Sequence, residues 1–196
     1  LTNWATSSGH KVCKITPTPT HLEAILRKGA GPKPAVGVAA PQSGAMVLFS
    51  NDLDKALAAL IIATDMAATG MQVSTFLTFW GLSVLRKHPG PQVKKSFLST
   101  MFGWMLPRGA QKLALSKLHM AGAGTALMKH VMAQQNVASL PEMLHQARAL
   151  GVKFIACDMA MGVMGLTREE LIEVDEVAGV ATFIARAKES GPTLFI

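Results

Sequence analysis

The fold is decided by residues 46–79, which read MVLFSNDLDKALAALIIATDMAATGMQVSTFLTF. Residues 46–49 form a continuous apolar run, which is typical of a strand buried on both faces. The polar residues 50–52 suit a helix start, Gly70 suits its end, and residues 73–79 read as a second strand. Between them, residues recur at helical spacing: Leu53, Leu57, Leu60, Ile61, Thr64 and Ala68. The stretch predicts a β-α-β unit with a right-handed parallel crossover.

The pattern continues towards the end of the chain. Residues 80–135 are predicted to be mostly helical, and Ser139 caps a further helix that stops at Gly151. The apolar residues 152–156 predict the next strand. Alternating strands and helices predict an α/β fold with an open, mainly parallel sheet covered by helices on both faces.

The last quarter of the chain carries a second capping signal. Thr167 and Glu170 have capping-box spacing, which predicts a helix that ends by Gly179. A final helix containing Phe183 and a short strand at residues 193–196 complete the expected sheet.

Three regions differ in composition. Residues 1–28 are a short leader, which we expect to form a small β-containing appendage although residues 22–28 have helical propensity. Residues 29–44 are rich in proline and glycine and predict a linker. Residues 45–196 form the main domain. Because the chain begins with Leu rather than Met, we expect a processed product or a piece of a longer protein.

Composition limits the functional class. The 196 residues are 49% hydrophobic and only 16% charged, more apolar than one small domain can hide, so we expect a homo-oligomer. The net charge of +7 raises the question of nucleic acid, but the lysines and arginines do not cluster and no nucleic-acid-binding motif accompanies them. We therefore expect no nucleic-acid partner.

Neither a membrane span nor a metal site is expected. Residues 66–85 are uncharged, but they read better as a helix end, a glycine stop and a strand than as a span of about 20 apolar residues. His119 and His130 have no cysteine or carboxylate at ligand spacing. A peripheral contact with a membrane stays a third alternative, and we expect no cofactor.

Cysteine usage indicates the compartment. The chain has two cysteines, Cys13 and Cys157, which lie far apart, and no secretory signal is visible at its start. A reducing, cytoplasmic setting is expected. Cys13 is predicted to be a dispensable strand residue.

Candidate site residues follow the predicted strands. In open α/β sheets, sites gather at the carboxyl ends of the strands. This places Asn51 after the first strand, Trp80 and Gly81 after the second, and Cys157 with Asp158 and Met159 after a later one. At a strand end that meets a helical turn, backbone N–H groups favour a thiolate, so Cys157 is predicted to be the exposed, reactive thiol. Asp158 opposes this effect. In an oligomer we expect Cys157 to lie near a subunit boundary, where a cation such as Lys112 or Lys117 offsets Asp158. A buried, inert cysteine is the other interpretation.

Several separated motifs carry a family resemblance. Residues 156–166 read ACDMAMGVMGL, residues 78–82 read TFWGL, and residues 194–196 read LFI. In this order they resemble the larger members of the DsrE/DsrF-like family. In residues 1–28, residues 3–5 (NWA), residues 8–12 (SGHKV) and a second short segment that ends at residues 26–28 (LRK) are similar to the tail of a TusA-like sulfur carrier. That carrier's Cys-Pro-x-Pro motif is not in this chain.

The resemblance implies a function. It implies a DsrE-like relay protein in which Cys157, the residue at the family's motif position, accepts sulfane sulfur as a persulfide. It further implies a possible sulfurtransferase that passes this sulfur to carriers of the TusA-like or rhodanese-like kind. The alternative is a non-catalytic module on the same fold that binds a small ligand or a partner.

Overall fold

The computed structural model describes residues 11–17, 22–27, 43–91, 93, 95 and 97–196. Most of the predicted linker and of the segments quoted for the TusA-like tail lies outside these ranges. The exceptions are Ser43 and Gly44, which belong to a strand, and residues 11, 12, 26 and 27. The chain divides into two units, residues 1–40 and 41–196.

The first unit contains a two-stranded antiparallel sheet. Strand β1 is Lys11–Pro17 and strand β2 is Leu22–Arg27. Lys11 pairs with Arg27 and Thr16 with Glu23, with an irregularity between Val12 and Lys14. The expected β-containing appendage is therefore confirmed, and pairing with β1 overrides the helical propensity of residues 22–27.

The second unit contains a five-stranded parallel sheet with strand order β6-β5-β4-β3-β7. The predicted α/β fold class is confirmed. The strands are β3 Ser43–Leu48, β4 Gln72–Leu77, β5 Lys153–Cys157, β6 Glu176–Ala178 and β7 Thr193–Phe195. The α-helices are α1 Leu53–Ala68, α2 Phe97–Met105, α3 Ala123–Gln134, α4 Leu140–Ala149, α5 Asp158–Met164 and α6 Val180–Lys188. Short 3-10 helices are Phe79–Leu85, Ala110–Lys112, Met120–Gly122 and Arg168–Glu170.

Helices cover both faces of this sheet. Phe76 of β4 stacks on Phe183 of α6, with ring centroids 5.1 Å apart. The guanidinium of Arg148, on α4, lies over the ring of Phe154 of β5. Because Phe76 pairs with Ile155 and not with Phe154, Phe76 and Phe154 point to opposite faces. Helices α4 and α6 therefore lie on opposite sides of the sheet.

Helix α1 joins β3 to β4 as the sequence predicts. Its buried side includes three fully buried alanines, Ala56, Ala59 and Ala63, whose small side chains let the helix approach the sheet closely. The uncharged residues 66–85 are the end of α1, strand β4 and the following 3-10 helix. Within the described residues, no helix has the length and apolar character that a bilayer span requires.

The predicted helix between Thr167 and Gly179 is wrong. The capping box exists, since the Thr167 N–H donates to Glu170 Oε2 at 3.0 Å, but the helical turn covers only Arg168–Glu170. The chain then forms strand β6, in which Ala178 pairs with Cys157. Pairing with the free edge of β5 supplies backbone hydrogen bonds that outweigh the local helical signal.

A buried ion cluster ties three connecting segments together. Glu170 is only 8% exposed, and its carboxylate contacts Lys95 Nζ and, at 3.6 Å, Arg86 Nη2. Arg86 follows the 3-10 helix after β4, and Lys95 precedes α2. Lys95 also donates to the carbonyl of Gly165, the residue that ends α5. The segments after β4, before α2 and after α5 therefore meet at one carboxylate.

The cluster determines the charge state of Glu170. Burial by itself would raise the pKa of this carboxyl. The hydrogen bonds from Lys95 and the Thr167 amide, and the charges of Lys95 and Arg86, outweigh burial and hold the pKa below its ordinary value. Glu170 is therefore ionised in the folded protein to a lower pH than in the unfolded chain.

We predict that Glu170→Gln lowers the free energy of unfolding by about 3 kcal/mol at neutral pH, because two buried cations lose their counter-charge. The folded-state pKa of Glu170 is depressed, so the stabilisation is present above the unfolded-state pKa and disappears as the pH falls through the folded-state value. Urea unfolding of both proteins at neutral and acidic pH measures the difference, which should shrink on acidification. The exposed Glu173→Gln is the matched control; a similar loss there would contradict the assignment.

Candidate functional site

Three neighbouring strands end at the same edge of the sheet. Leu48 of β3 pairs with Leu77 of β4, and Leu77 pairs with Ala156 of β5. The segments that follow these strands leave the sheet at its carboxyl edge and carry all the predicted site residues: Asn51, Trp80, Gly81, Cys157, Asp158 and Met159. These residues therefore lie at or directly after the ends of three neighbouring strands.

Gly81 contributes backbone rather than a side chain. Its N–H donates to the carbonyl of Phe49 at 2.7 Å and to that of Thr78 at 3.0 Å. A Cβ at this position would lie 2.1 Å from the carbonyl oxygen of Leu48. Glycine therefore allows the segment after β4 to lie directly against the end of β3.

The neighbouring backbone is strained. Phe79 has a φ of 45°, which is uncommon for an aromatic residue and is concentrated at sites that the surrounding structure holds in place. Its ring packs on Phe49 with centroids 5.5 Å apart, and Phe49 stacks on Phe195 at 5.9 Å. Trp80, directly after Phe79, stays largely exposed.

Asn51 is half-buried beside a small polar network. The Ser50 hydroxyl donates to Asp52 at 2.8 Å, and Lys55 pairs with Asp52 at 2.7 Å. The amide of Leu53, at the start of α1, donates to the carbonyl of Ala114 at 2.7 Å. The structure records no role for Asn51 beyond its position in this connection.

Cys157 is the last residue of β5, and its side chain is 0% exposed. The sequence predicted an exposed thiol, and this expectation is wrong for the described chain. The strand runs one residue further than predicted, and Cys157 pairs with Ala178 of β6, the strand that replaces a predicted helix. Strand β6 therefore pairs with the edge of β5 for which the sequence predicted no neighbouring strand.

Helix α5 begins immediately after Cys157. Asp158 and Met159 form its first turn and are both exposed. Within the one described chain, neither Lys112 nor Lys117 forms an ion pair with Asp158. Compensation of Asp158 by one of these lysines at a subunit boundary stays a prediction. α5 packs against the 3-10 helix Phe79–Leu85 and against α2.

Sequence reasoning missed the cations of the buried cluster. The capping-box spacing located Glu170, whose carboxylate accepts from the Thr167 amide as predicted. Its partners, Arg86 and Lys95, are separated from it by 84 and 75 residues, and nothing in their local sequence indicates burial. No group of three His, Cys, Asp or Glu side chains able to hold a metal ion occurs in the part of the chain that the structure describes.

A doubly wound parallel sheet with a cysteine at the carboxyl end of an inner strand defines a class of small α/β proteins. The chain belongs to the DsrE/DsrF/DrsH-like family, whose model matches residues 41–195. The resemblance seen in the sequence is thereby confirmed for the main domain, whereas no comparison supports the TusA-like tail.

Two relatives match most of this domain. The uncharacterized protein YrkE of Bacillus subtilis (strain 168) is 48% identical over 151 residues, covering 77% of this chain and 94% of YrkE. The sulfur carrier protein DsrE2 of Allochromatium vinosum is 35% identical over 156 residues, covering 78% of this chain and 96% of DsrE2. Among solved structures, the ychN protein from E. coli aligns with a TM-score of 0.47 and 10% identity, covering 79% of this chain and 99% of its own.

We predict that Gly81→Ala lowers the free energy of unfolding by about 2–3 kcal/mol, because the added methyl group meets backbone that cannot move away cheaply. Gly162→Ala is the matched control. Gly162 lies inside α5 with open space around its Cβ position, so alanine there should raise stability by about 0.5–1 kcal/mol. Urea denaturation measures both changes. Equal stability of Gly81→Ala and the wild type would contradict the close approach.

Proposed function

We propose that this protein is a sulfur-relay protein that accepts sulfane sulfur on Cys157 as a persulfide and passes it to a partner protein. Membership of the DsrE/DsrF/DrsH-like family and 35% identity to a sulfur carrier support this proposal. The observation that carries it is the position of Cys157, at the carboxyl end of an inner strand where an α/β sheet places its sites.

The proposed transfer balances without an oxidant. The thiolate of Cys157 attacks the outer sulfur of a donor persulfide, R–S–SH, and a new S–S bond forms at Sγ. The donor's S–S bond breaks, and its inner sulfur leaves as a thiolate with the electron pair and takes up the proton that Cys157 released. The products are Cys157–S–SH and R–SH. An acceptor thiolate then attacks the outer sulfur in the same way.

Burial of the thiol imposes a condition on this chemistry. Cys157 is closed off in the isolated chain, so the donor reaches it only when a covering segment moves. Helix α5 follows Cys157 directly and is held at its far end, where Lys95 donates to the Gly165 carbonyl. We propose that the first turn of α5, with its exposed Asp158 and Met159, opens when the partner docks.

The partners we propose are sulfur carriers of the TusA-like or rhodanese-like kind, met in the cytoplasm. Exposed apolar side chains stand on the segments that flank Cys157, Trp80 after β4 and Met159 and Val163 on α5. Such side chains are enriched in protein interfaces. Both cysteines are free thiols, as a reducing compartment would keep them.

A second candidate is favoured by one observation. Full burial is the usual setting of a cysteine that behaves as a small hydrophobic residue. On this alternative, Cys157 is incidental, and the domain binds a small ligand or a partner without chemistry. The two candidates differ in what happens when Cys157 is replaced.

We predict that incubation with a persulfidated donor protein of the rhodanese-like kind, whose docking opens the site, gives a gain of one sulfur in intact mass spectrometry, and that a reductant removes this sulfur. Cys157→Ser should abolish the gain, because it removes the only thiol on the sheet edge. Cys13→Ser, which removes the exposed cysteine of β1, is the matched control and should leave it unchanged. Sulfur loading that survives in Cys157→Ser would end the relay proposal and favour the binding module.

We also propose that the protein is a homo-oligomer. Phe97 and Trp104 of α2 are 83% and 81% exposed, and Leu118 and Met120 are exposed as well. Apolar side chains of this size are costly to leave in water.

Light scattering at micromolar concentration should therefore give a mass that is a multiple of 20.8 kDa. Trp104→Ser should shift the mass towards the monomer, because it removes the most exposed tryptophan of the described chain. A wild-type protein that is monomeric in this measurement contradicts the proposal.

A further inference from the structure

A concave site is lined by none of the residues predicted at the carboxyl edge. A cleft of 270 Å³ opens between α4, the 3-10 turn Ala110–Lys112 and the segment 84–88. No Asp or Glu is among the described residues that line it. Four lining residues carry basic nitrogen groups: Arg86, His88, His145 and Arg148. A concave wall with this composition has positive electrostatic potential and selects anions.

Arg148 supplies an unused hydrogen-bond donor. Its guanidinium lies over the Phe154 ring, with Cζ 5.5 Å from the ring centroid. Its Nη2 is buried and has no hydrogen-bond partner among the described residues. Buried donors are nearly always paired, and an unpaired one marks a place where an unseen acceptor belongs.

Arg86 adds a positive charge that its neighbours cancel only in part. It is 4% exposed, and its Nη1 donates to the carbonyls of Leu106 at 2.9 Å and Pro107 at 3.3 Å. Among the described residues its one acidic partner is Glu170, which also contacts Lys95, so a single carboxylate faces two cations. The exposed Arg108 stands nearby and repels the charge on Arg86.

The remaining wall is apolar and of limited size. Leu144, Ile172 and Val84 line it beside the basic groups. Ligand pockets usually have volumes of about 300–1,000 Å³, so this cleft suits a small metabolite rather than a nucleotide or a peptide. The mouth carries two exposed imidazoles, His88 and His145, which can donate further hydrogen bonds.

We propose that this cleft binds a small organic anion, with a carboxylate or phosphate group held by Arg148 and Arg86 and a short apolar portion against Leu144 and Ile172. Charge-assisted hydrogen bonds from a guanidinium are directional and can be bidentate, which suits both headgroups. The site is independent of Cys157 and of sulfur transfer.

The test titrates the full chain with inorganic phosphate and, separately, with butyrate, and follows backbone amide NMR shifts at constant ionic strength. Saturable shifts at α4 and at residues 84–88 are expected with at least one probe, and the tighter probe identifies the headgroup. Arg148→Gln should raise the Kd about tenfold or more, because it removes the buried charged donor. His145→Gln, at an exposed position, should raise it about threefold.

Lys188→Gln is the matched control, since it removes one exposed positive charge at the end of α6. A Kd within about twofold of the wild type is expected, because exposed charges at a distance are screened. No saturable binding of either probe, unchanged binding in Arg148→Gln, or an equal loss in Lys188→Gln would each overturn the proposal. If Arg148→Gln does not fold, as judged by circular dichroism, unchanged binding in His145→Gln overturns it.

Discussion

The carboxylate of Glu170 is the counter-ion of two buried cations, and this ion cluster holds together three segments that connect the strands and helices. Arg86 lies in the segment after β4, Lys95 in the segment before α2, and Glu170 in the segment after α5. Removing Glu170 would leave two buried cations without a counter-charge in a place with little water, where the cost is high. Lys95 extends the constraint to the end of α5 through the Gly165 carbonyl, and so to the helix that begins at Cys157.

The sequence predicted best those features of the structure that depend on residues close together in the sequence. The strand-helix-strand order of residues 46–77 follows from local periodicity, and the Ser139 cap with Glu142 produced the expected start of α4. The position of Cys157 at a strand end followed from the same local signals. Its family was also readable, because the motifs lie in the matched residues 41–195.

Features that depend on distant pairing were not readable. Strand β6 has three residues and exists because β5 offers it a free edge, whereas the local capping box favoured a helix. The burial of Cys157 depends on packing within the folded chain, so a local interpretation left the thiol exposed. The contacts of Glu170 and the basic cleft likewise join residues that are far apart in the sequence. Neither periodicity nor spacing carries that information.

The full enclosure of Cys157 has a consequence for selectivity against small molecules. Cellular thiols such as glutathione can strip sulfur from an accessible persulfide, and the rate of that reaction depends on access to the outer sulfur. If Cys157 carries the sulfur as proposed, a competing thiol reaches the sulfur only while the buried site is open. The rate at which the protein opens then sets an upper limit on the rate of this loss, whatever the reactivity of the sulfur itself.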